Sequence, residues 1–253
     1  TTVPMVGFLQ EHGERNFKDK KDRSYSMFAH TKAFRYSLLN QGFDVCEVGL
    51  NQEIPAHIDI LVIADMFKWF TPAEEKNLDL YIQRGGNLFI LGEPRRREIM
   101  NPLFQKFGFD MAPGILVKND TTKQPDLVAS YPTRESPEIA YQFGELIKRK
   151  KVLGTPTVAG LNQTEDKGFT VTTLFRTDTT DVWNETETRY FTDQDTIRYN
   201  PEAGEVAKTY ATVVALARQV GEREQRIILS GDADCISNTM GDPKIKNSMN
   251  YSL

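Results

Sequence analysis

The run Ile58-Asp59-Ile60-Leu61-Val62-Ile63-Ala64 constrains this chain most. It is almost continuously apolar, as a strand is when helices cover both faces of its sheet. Apolar runs at Val3–Leu9, Phe43–Val48 and Asn87–Leu91 read as companion strands. Helical patterns lie between them, and this alternation predicts a parallel α/β sheet over residues 1–110. Ser26–Gln41, with Met27, Phe34, Leu38 and Leu39 apolar, predicts a helix stopped by Gly42 in a left-handed cap. Thr71-Pro72-Ala73-Glu74 predicts a helix start: Thr71 caps, Pro72 suits the first turn and Glu74 closes a capping box. That helix ends at Gly85-Gly86, and another is predicted from Arg97 to Phe107. Residues 10–25 form a charged loop, long for a strand-to-helix connection.

Residues 111–200 change character, becoming rich in Thr, Asp and Val without regular helices. Gly168–Thr177 and Arg189–Thr192 read as β segments. One helix is predicted over Ser136–Arg149, with Ser136 as cap and Pro137 in the first turn, although Gly144 weakens it. Residues 201–253 return to the earlier style. Tyr210–Arg218 is expected as strand, Gln219–Gln225 as a polar turn and Arg226–Ser230 as a buried strand. The expected fold is α/β, three layers around a mostly parallel sheet. A β-rich insertion at 111–200 divides the sheet domain into 1–110 and 201–253.

The 253 residues can bury a sizeable core, and a net charge of −4 excludes broad attraction to nucleic acid or anionic membrane. The basic clusters Arg95–Arg97 and Lys148–Lys151 are short and read as solvated helix ends. No run approaches the ~18–20 apolar residues that span a bilayer, and no signal peptide is visible. The chain starts at Thr1 and stops at Leu253 without a clear ending, so both ends read as cut. Cys46 and Cys235 sit in or after apolar runs and are expected to pack as small hydrophobes. No CxxC or paired-histidine spacing predicts zinc.

Polar residues recur where the parallel strands should end. Glu11 and His12 follow the first, Asp65 follows IDILVIA, Glu93 follows NLFIL, and Asp232 and Asp234 follow RIILS. Ligands bind beyond the carboxyl ends of such strands. A general acid–base or metal site is one reading. Loop and cap chemistry is the other: Asp234 ahead of Ser237-Asn238 suits a cap, and Glu93 before Pro94 and three arginines suits an ion-paired turn. A nucleophile of this architecture needs Ser or Cys on a strained strand-to-helix turn. Here that turn reads Leu91-Gly92-Glu93-Pro94, and Pro94 removes a backbone N–H from any oxyanion hole. No GxGxxG and no Walker lysine loop is present. No catalytic residue, metal or cofactor is predicted.

Three stretches, in order, resemble one known family. GFLQEHGERN resembles the first strand and "GHGE"-type loop of the auxiliary, substrate-side domain of gliding-motility-type ABC transport systems. FTVTTLFRTDTTDVWNE, with Leu174, Thr177, Trp183 and Glu185, resembles that family's "V-x-x-L-x-x-T…W-x-E" segment. RIILSGDADCISN resembles its closing strand and "GDSDF-x-SN". Glu11 departs from the family's usual Gly, and Cys235 from its usual aromatic. The resemblance implies a class I glutamine amidotransferase-like, flavodoxin-like fold without the catalytic cysteine. It also implies a periplasmic domain anchored to the inner membrane by segments absent from this chain, with ABC permease and ATP-binding subunits as partners.

Two functions follow. In the first, a non-catalytic binding domain recognises a partner or small polar ligand through Glu11, His12, Asp65, Glu93 and Asp232. A His12→Ala/Glu93→Ala double change should then leave thermal stability nearly intact. In the second, the same acids serve a carboxylate- or metal-dependent hydrolase acting on a saccharide or amide.

Overall fold

A computed structural model describes residues 3–119, 124–178, 181–191, 197–241 and 250. Its strands are β1 (Met5–Leu9), β2 (Asp44–Val48), β3 (Ile60–Ala64), β4 (Asn87–Leu91), β5 (Phe109–Met111), β6 (Ile115–Lys118), β7 (Leu127–Pro132), β8 (Leu153–Pro156), β9 (Leu161–Gln163), β10 (Thr170–Arg176), β11 (Val182–Glu185), β12 (Ala211–Val220) and β13 (Arg223–Ser230). Its helices are α1 (Ser26–His30), α2 (Pro72–Gln83), α3 (Arg97–Gln105), α4 (Gln142–Lys148) and α5 (Asn238–Gly241).

The main sheet runs β2-β1-β3-β4-β13-β12-β10-β7-β8, with β5 and β9 attached beside β12. From β2 to β13 every pairing is parallel. From β13 onward the pairings are antiparallel. The fold is α/β, and the strands of the middle segment extend the same sheet. β6 and β11 form a separate two-stranded ribbon.

Alternation along the parallel strands feeds two cores. Leu61, Ile63, Leu88, Ile90, Ile227 and Leu229 face one side, covered by Leu78 and Tyr81 of α2 and Met100, Leu103 and Phe104 of α3. Val62, Ala64, Phe89, Leu91 and Ile228 face the other, packed with Ala29 of α1 and with Phe143 and Leu146 of α4. The capping box forms: Thr71 Oγ1 accepts from Glu74 N–H, and the Glu74 carboxylate accepts from Thr71 N–H.

Four local expectations are corrected. The helix expected over Ser26–Gln41 ends at His30, and only a short 3-10 turn forms at Leu39–Gln41. Thr31 donates its hydroxyl back to Ser26 O, and Asn40 Nδ2 takes the carbonyls of Lys32 and Phe34, so side chains replace the helical ladder. The Ser136–Arg149 helix divides into a turn at Ser136–Glu138 and α4, a break that brings Phe143 to 5.6 Å from Phe175. Residues 189–191 are not strand, Thr192 lies outside the described residues, and the β segment there is β11. The turn expected over Gln219–Gln225 shrinks to Gly221-Glu222. Gln225 is fully buried and donates to Ile82 O and Gly86 O, so it belongs to the hairpin.

Candidate functional site

The sheet order puts β1, β3, β4 and β13 side by side, so the polar residues that follow them share one edge. The loop after β1 folds back over that edge. Gln10 N–H bonds Val48 O, and Arg15 N–H bonds Ala64 O. Gly13 is needed there, at φ +82, because a Cβ would lie 2.8 Å from Phe67.

Arg15 enters the edge almost wholly buried. Its Nε meets Asp65 Oδ2 at 2.5 Å, and its Nη1 meets Asp234 Oδ1 at 2.7 Å and Arg23 O at 2.8 Å. Asp65 adopts a left-handed backbone (φ 55) and also accepts from Arg96. Glu93 accepts from Arg23 Nη2 at 2.7 Å and from Arg95 N–H at 3.2 Å. Asp234 accepts from Arg23 as well. Burial opposes the charge on Arg15, but Asp234 and Asp65 hold it firmly protonated. Burial likewise opposes ionisation of Asp234, and Arg23 and Arg15 outweigh it, leaving its pKa below the usual range. Asp232 goes the other way. Burial and the neighbouring Asp234 charge push its pKa well above the ordinary value, and its Oδ2 has no partner among the described residues. Its Oδ1 accepts from Asp234 N–H at 2.6 Å.

His12 lies beside this network. Its Nδ1 is 3.3 Å from Glu14 Oε1, its Nε2 is 3.2 Å from Glu74 Oε2, and its ring packs edge-on against Phe70. Burial raises the Glu14 pKa, whereas hydrogen bonds from Thr71 hold Glu74 at about 2. Glu11 is exposed, with its carboxylate against Gly49. The structure therefore joins Asp65, Glu93 and Asp232 into one buried cluster, sets His12 next to it, and leaves Glu11 apart at the surface. Both His12 and Glu93 are about 2% exposed and each has a buried charged neighbour, Glu14 at 3.3 Å from His12 and Arg15 at 3.7 Å from Glu93, which argues against the expectation that they are dispensable for stability.

The arginines are what the strand-end pattern does not reveal. Arg95 and Arg96 are not solvated helix ends: Arg95 faces Glu93, and Arg96 binds Asp65. The available signal is electrostatic. Carboxylates delivered to one buried edge require counter-charges, and Arg15, Arg23 and Arg95–Arg97 lie in the segments following β1 and β4. Asp234 does not cap the next helix through its side chain, which those arginines occupy.

The first and last of the three quoted stretches meet here through Arg15 and Asp234, and the chain that follows the first stretch adds further bonds to the last. Tyr25 donates its hydroxyl to Ala233 O, and Asn238 Nδ2 donates to Asp19 O and Lys21 O while its Oδ1 accepts from Met27 N–H. Cys235 is a buried free thiol, pushed up in pKa by burial and Asp232, and Cys46 is free and half-buried. Elsewhere Glu185, Glu187 and Glu205 bring one carboxylate oxygen each within 4.8 Å of one another, as a cation's ligands would be. Backbone N–H groups of Thr186, Glu187, Thr188 and Asn200 already occupy Glu185 and Glu205.

A family model described as an ABC-type uncharacterized transport system matches residues 4–252. Comparison of the sequence with curated proteins finds no match. Among solved structures, the mmIFT52 N-terminal domain is similar at 15% identity, with 92% of this chain and 88% of that chain covered and a TM-score of 0.59. An exo-beta-1,4-mannosidase, Op5Man5 from Opitutaceae bacterium strain TAV5, matches at 11% identity over 93% of this chain and 32% of that one, with a TM-score of 0.44. A thua-like protein from Bacteroides uniformis ATCC 8492 matches at 13% identity over 90% and 81%, with a TM-score of 0.40.

Proposed function

The chain belongs to the ABC-type uncharacterized transport system family, and from that premise we propose that it is a non-catalytic interaction domain, an auxiliary part of transport machinery of the gliding-motility kind. In this reading it works at the periplasmic face of the inner membrane, anchored by segments outside this chain. Its partners are the ABC permease and ATP-binding subunits.

The observation that carries the reading is Glu93. It stands on the turn after β4 where a nucleophile would stand, in relaxed extended backbone (φ −126, ψ 115). Its carboxylate is bound by Arg23 and by Arg95 N–H. The guanidiniums of Arg15 and Arg23 fill the space among Asp65, Glu93 and Asp234 that a divalent cation would need. This disfavours the carboxylate- or metal-dependent hydrolase.

The buried network instead holds an exposed rim. Arg96 stacks 3.9 Å from the Phe67 ring centroid, and Arg95 stacks 4.8 Å from that of Tyr190. Phe67 and Tyr190 are 58% and 71% exposed, and Arg with large aromatics is the composition of interface hot spots. Asp65 and Glu93 would then act on a partner through the arginines they hold, Asp232 through Asp234, His12 through the loop, and Glu11 directly.

The test is co-expression of the full-length protein with the permease and ATP-binding subunits of its transport system. The expected result is a co-purifying complex that Phe67→Ala/Tyr190→Ala weakens without loss of stability. Turnover of amide, ester or glycoside substrates that Glu93→Gln abolishes would overturn the reading.

A further inference from the structure

A cleft of about 470 Å³ opens between the start of α3 and the β6–β11 ribbon. Four arginines line it, Arg95, Arg96, Arg97 and Arg189, against two acids, Glu98 and Glu185. On a chain of net charge −4 this is a local reversal of sign.

Neither acid neutralises the arginines by hydrogen bonding. Glu185 spends its Oε1 on the N–H groups of Glu187 and Thr188, and Glu98 is exposed in the first turn of α3. Arg96 is committed to Asp65. The other three keep their outer nitrogens available. Arg95 donates Nε to Arg189 O at 3.0 Å, and its Nη1 makes a long ion pair with Glu93 at 3.7 Å without a hydrogen bond. Arg97 donates only Nε, to Met111 O at 2.8 Å. Arg189 is exposed. Among the described residues, no Nη atom of Arg95, Arg97 or Arg189 has a hydrogen-bond acceptor.

The cleft is also built in advance. The Glu185 carboxylate fixes the 186–188 turn that presents Arg189, and the Arg95 bond to Arg189 O ties that turn to the start of α3. Asn184 donates to Pro113 O, and Gly114 (φ +80) lies so close to Glu185 O that a Cβ would be 2.3 Å from it. Three like charges held around one opening repel each other, and a bound anion relieves that repulsion. Guanidinium forks match planar or tetrahedral oxyanions, and the volume suits a small molecule.

We infer that this cleft binds a small oxyanionic ligand carrying at least two carboxylate or phosphate groups, held by Arg95, Arg97 and Arg189. The inference does not depend on the transport assignment and stands or falls separately.

Calorimetric titration of the purified chain with inorganic pyrophosphate and with citrate, at ionic strength matched by sodium chloride, tests it. Saturable binding is expected. Pyrophosphate alone assigns phosphate groups, citrate alone assigns carboxylates, and binding of both assigns the shared oxyanion chemistry. Arg97→Gln/Arg189→Gln should weaken binding at least about tenfold. It should still fold, because Met111 O keeps Asn101 as a donor and Arg189 is exposed. Lys76→Gln, an exposed charge of α2 outside the cleft, should bind like the parent. No saturable binding of either anion, or equal binding by the double variant and the parent, overturns the proposal.

Discussion

Arg15 Nε and Asp65 Oδ2 meet at 2.5 Å in the crevice beyond the carboxyl ends of the paired strands β1 and β3. β2 lies on one side of β1 and β3 and β4 on the other, so the strand order reverses at the crevice beside β1. In open α/β sheets such a crevice receives the ligand. Here the protein's own guanidinium fills it, and the edge becomes a support rather than a cavity.

Arg15→Ala is expected to destabilise the fold by about 3–5 kcal/mol, because Asp65 and Asp234 stay buried without their partner. Replacing the pair together, as Arg15→Met/Asp65→Leu, should cost clearly less than the two single changes summed. Urea unfolding of the four proteins measures the coupling; additive losses would show that the two groups act independently.

Asp232 gives a signed pH dependence. Its folded pKa is raised, so the folded state keeps a proton that the unfolded chain releases from about pH 3.9 upward. Its contribution is full below that range and is lost as pH rises toward the folded pKa. Asp232→Asn should remove one proton's share of this decline, up to about 1.4 kcal/mol per pH unit. Asp234 has the opposite sign: its pKa is lowered, so its stabilisation is lost as pH falls. Asp234→Asn should lower stability near neutrality and flatten the acid limb. Unfolding free energies measured across pH for both variants check the two signs.

Much of this architecture is local and therefore legible. IDILVIA and RIILS carry their burial in their composition, and Thr71 and Glu74 carry their cap in their spacing. The strand-end acids follow from the strands. Their partners do not, because Arg15 reaches Asp65 across 50 residues and Asp234 across 219. Gln225 looks like a turn residue until Ile82 O and Gly86 O arrive from α2 and its exit. Thr31 and Asn40 end a helix that apolar spacing favours, through bonds that periodicity does not register.

His12→Ala removes a buried ring that packs against Phe70 and lies between Glu14 and Glu74. A cavity and an uncompensated Glu14 together should cost about 2–4 kcal/mol. Adding Glu93→Ala removes one carboxylate partner from Arg23, which keeps Asp234, and one from buried Arg15, and the double variant should unfold at markedly lower denaturant. A double variant as stable as the parent would mean that neither contact contributes.

Asn238 is where the closing motif grips the first loop. Its amide takes Asp19 O, Lys21 O and Met27 N–H, and its own N–H bonds Ser24 O. Asn238→Ala leaves those side-chain partners unpaired and should cost about 2–3 kcal/mol. The loss should be local first, since loop 10–25 has few other anchors to α5 than Thr239 bonding Asp22. Trypsin reaches the chain at the exposed Lys20 and Lys21, so cleavage there should accelerate before global unfolding does. Asn238→Asp keeps the acceptor for Met27 N–H and loses both donors, which places its cleavage rate between parent and Ala. Equal cleavage rates in all three proteins would show that the Asn238 side chain does not hold the loop.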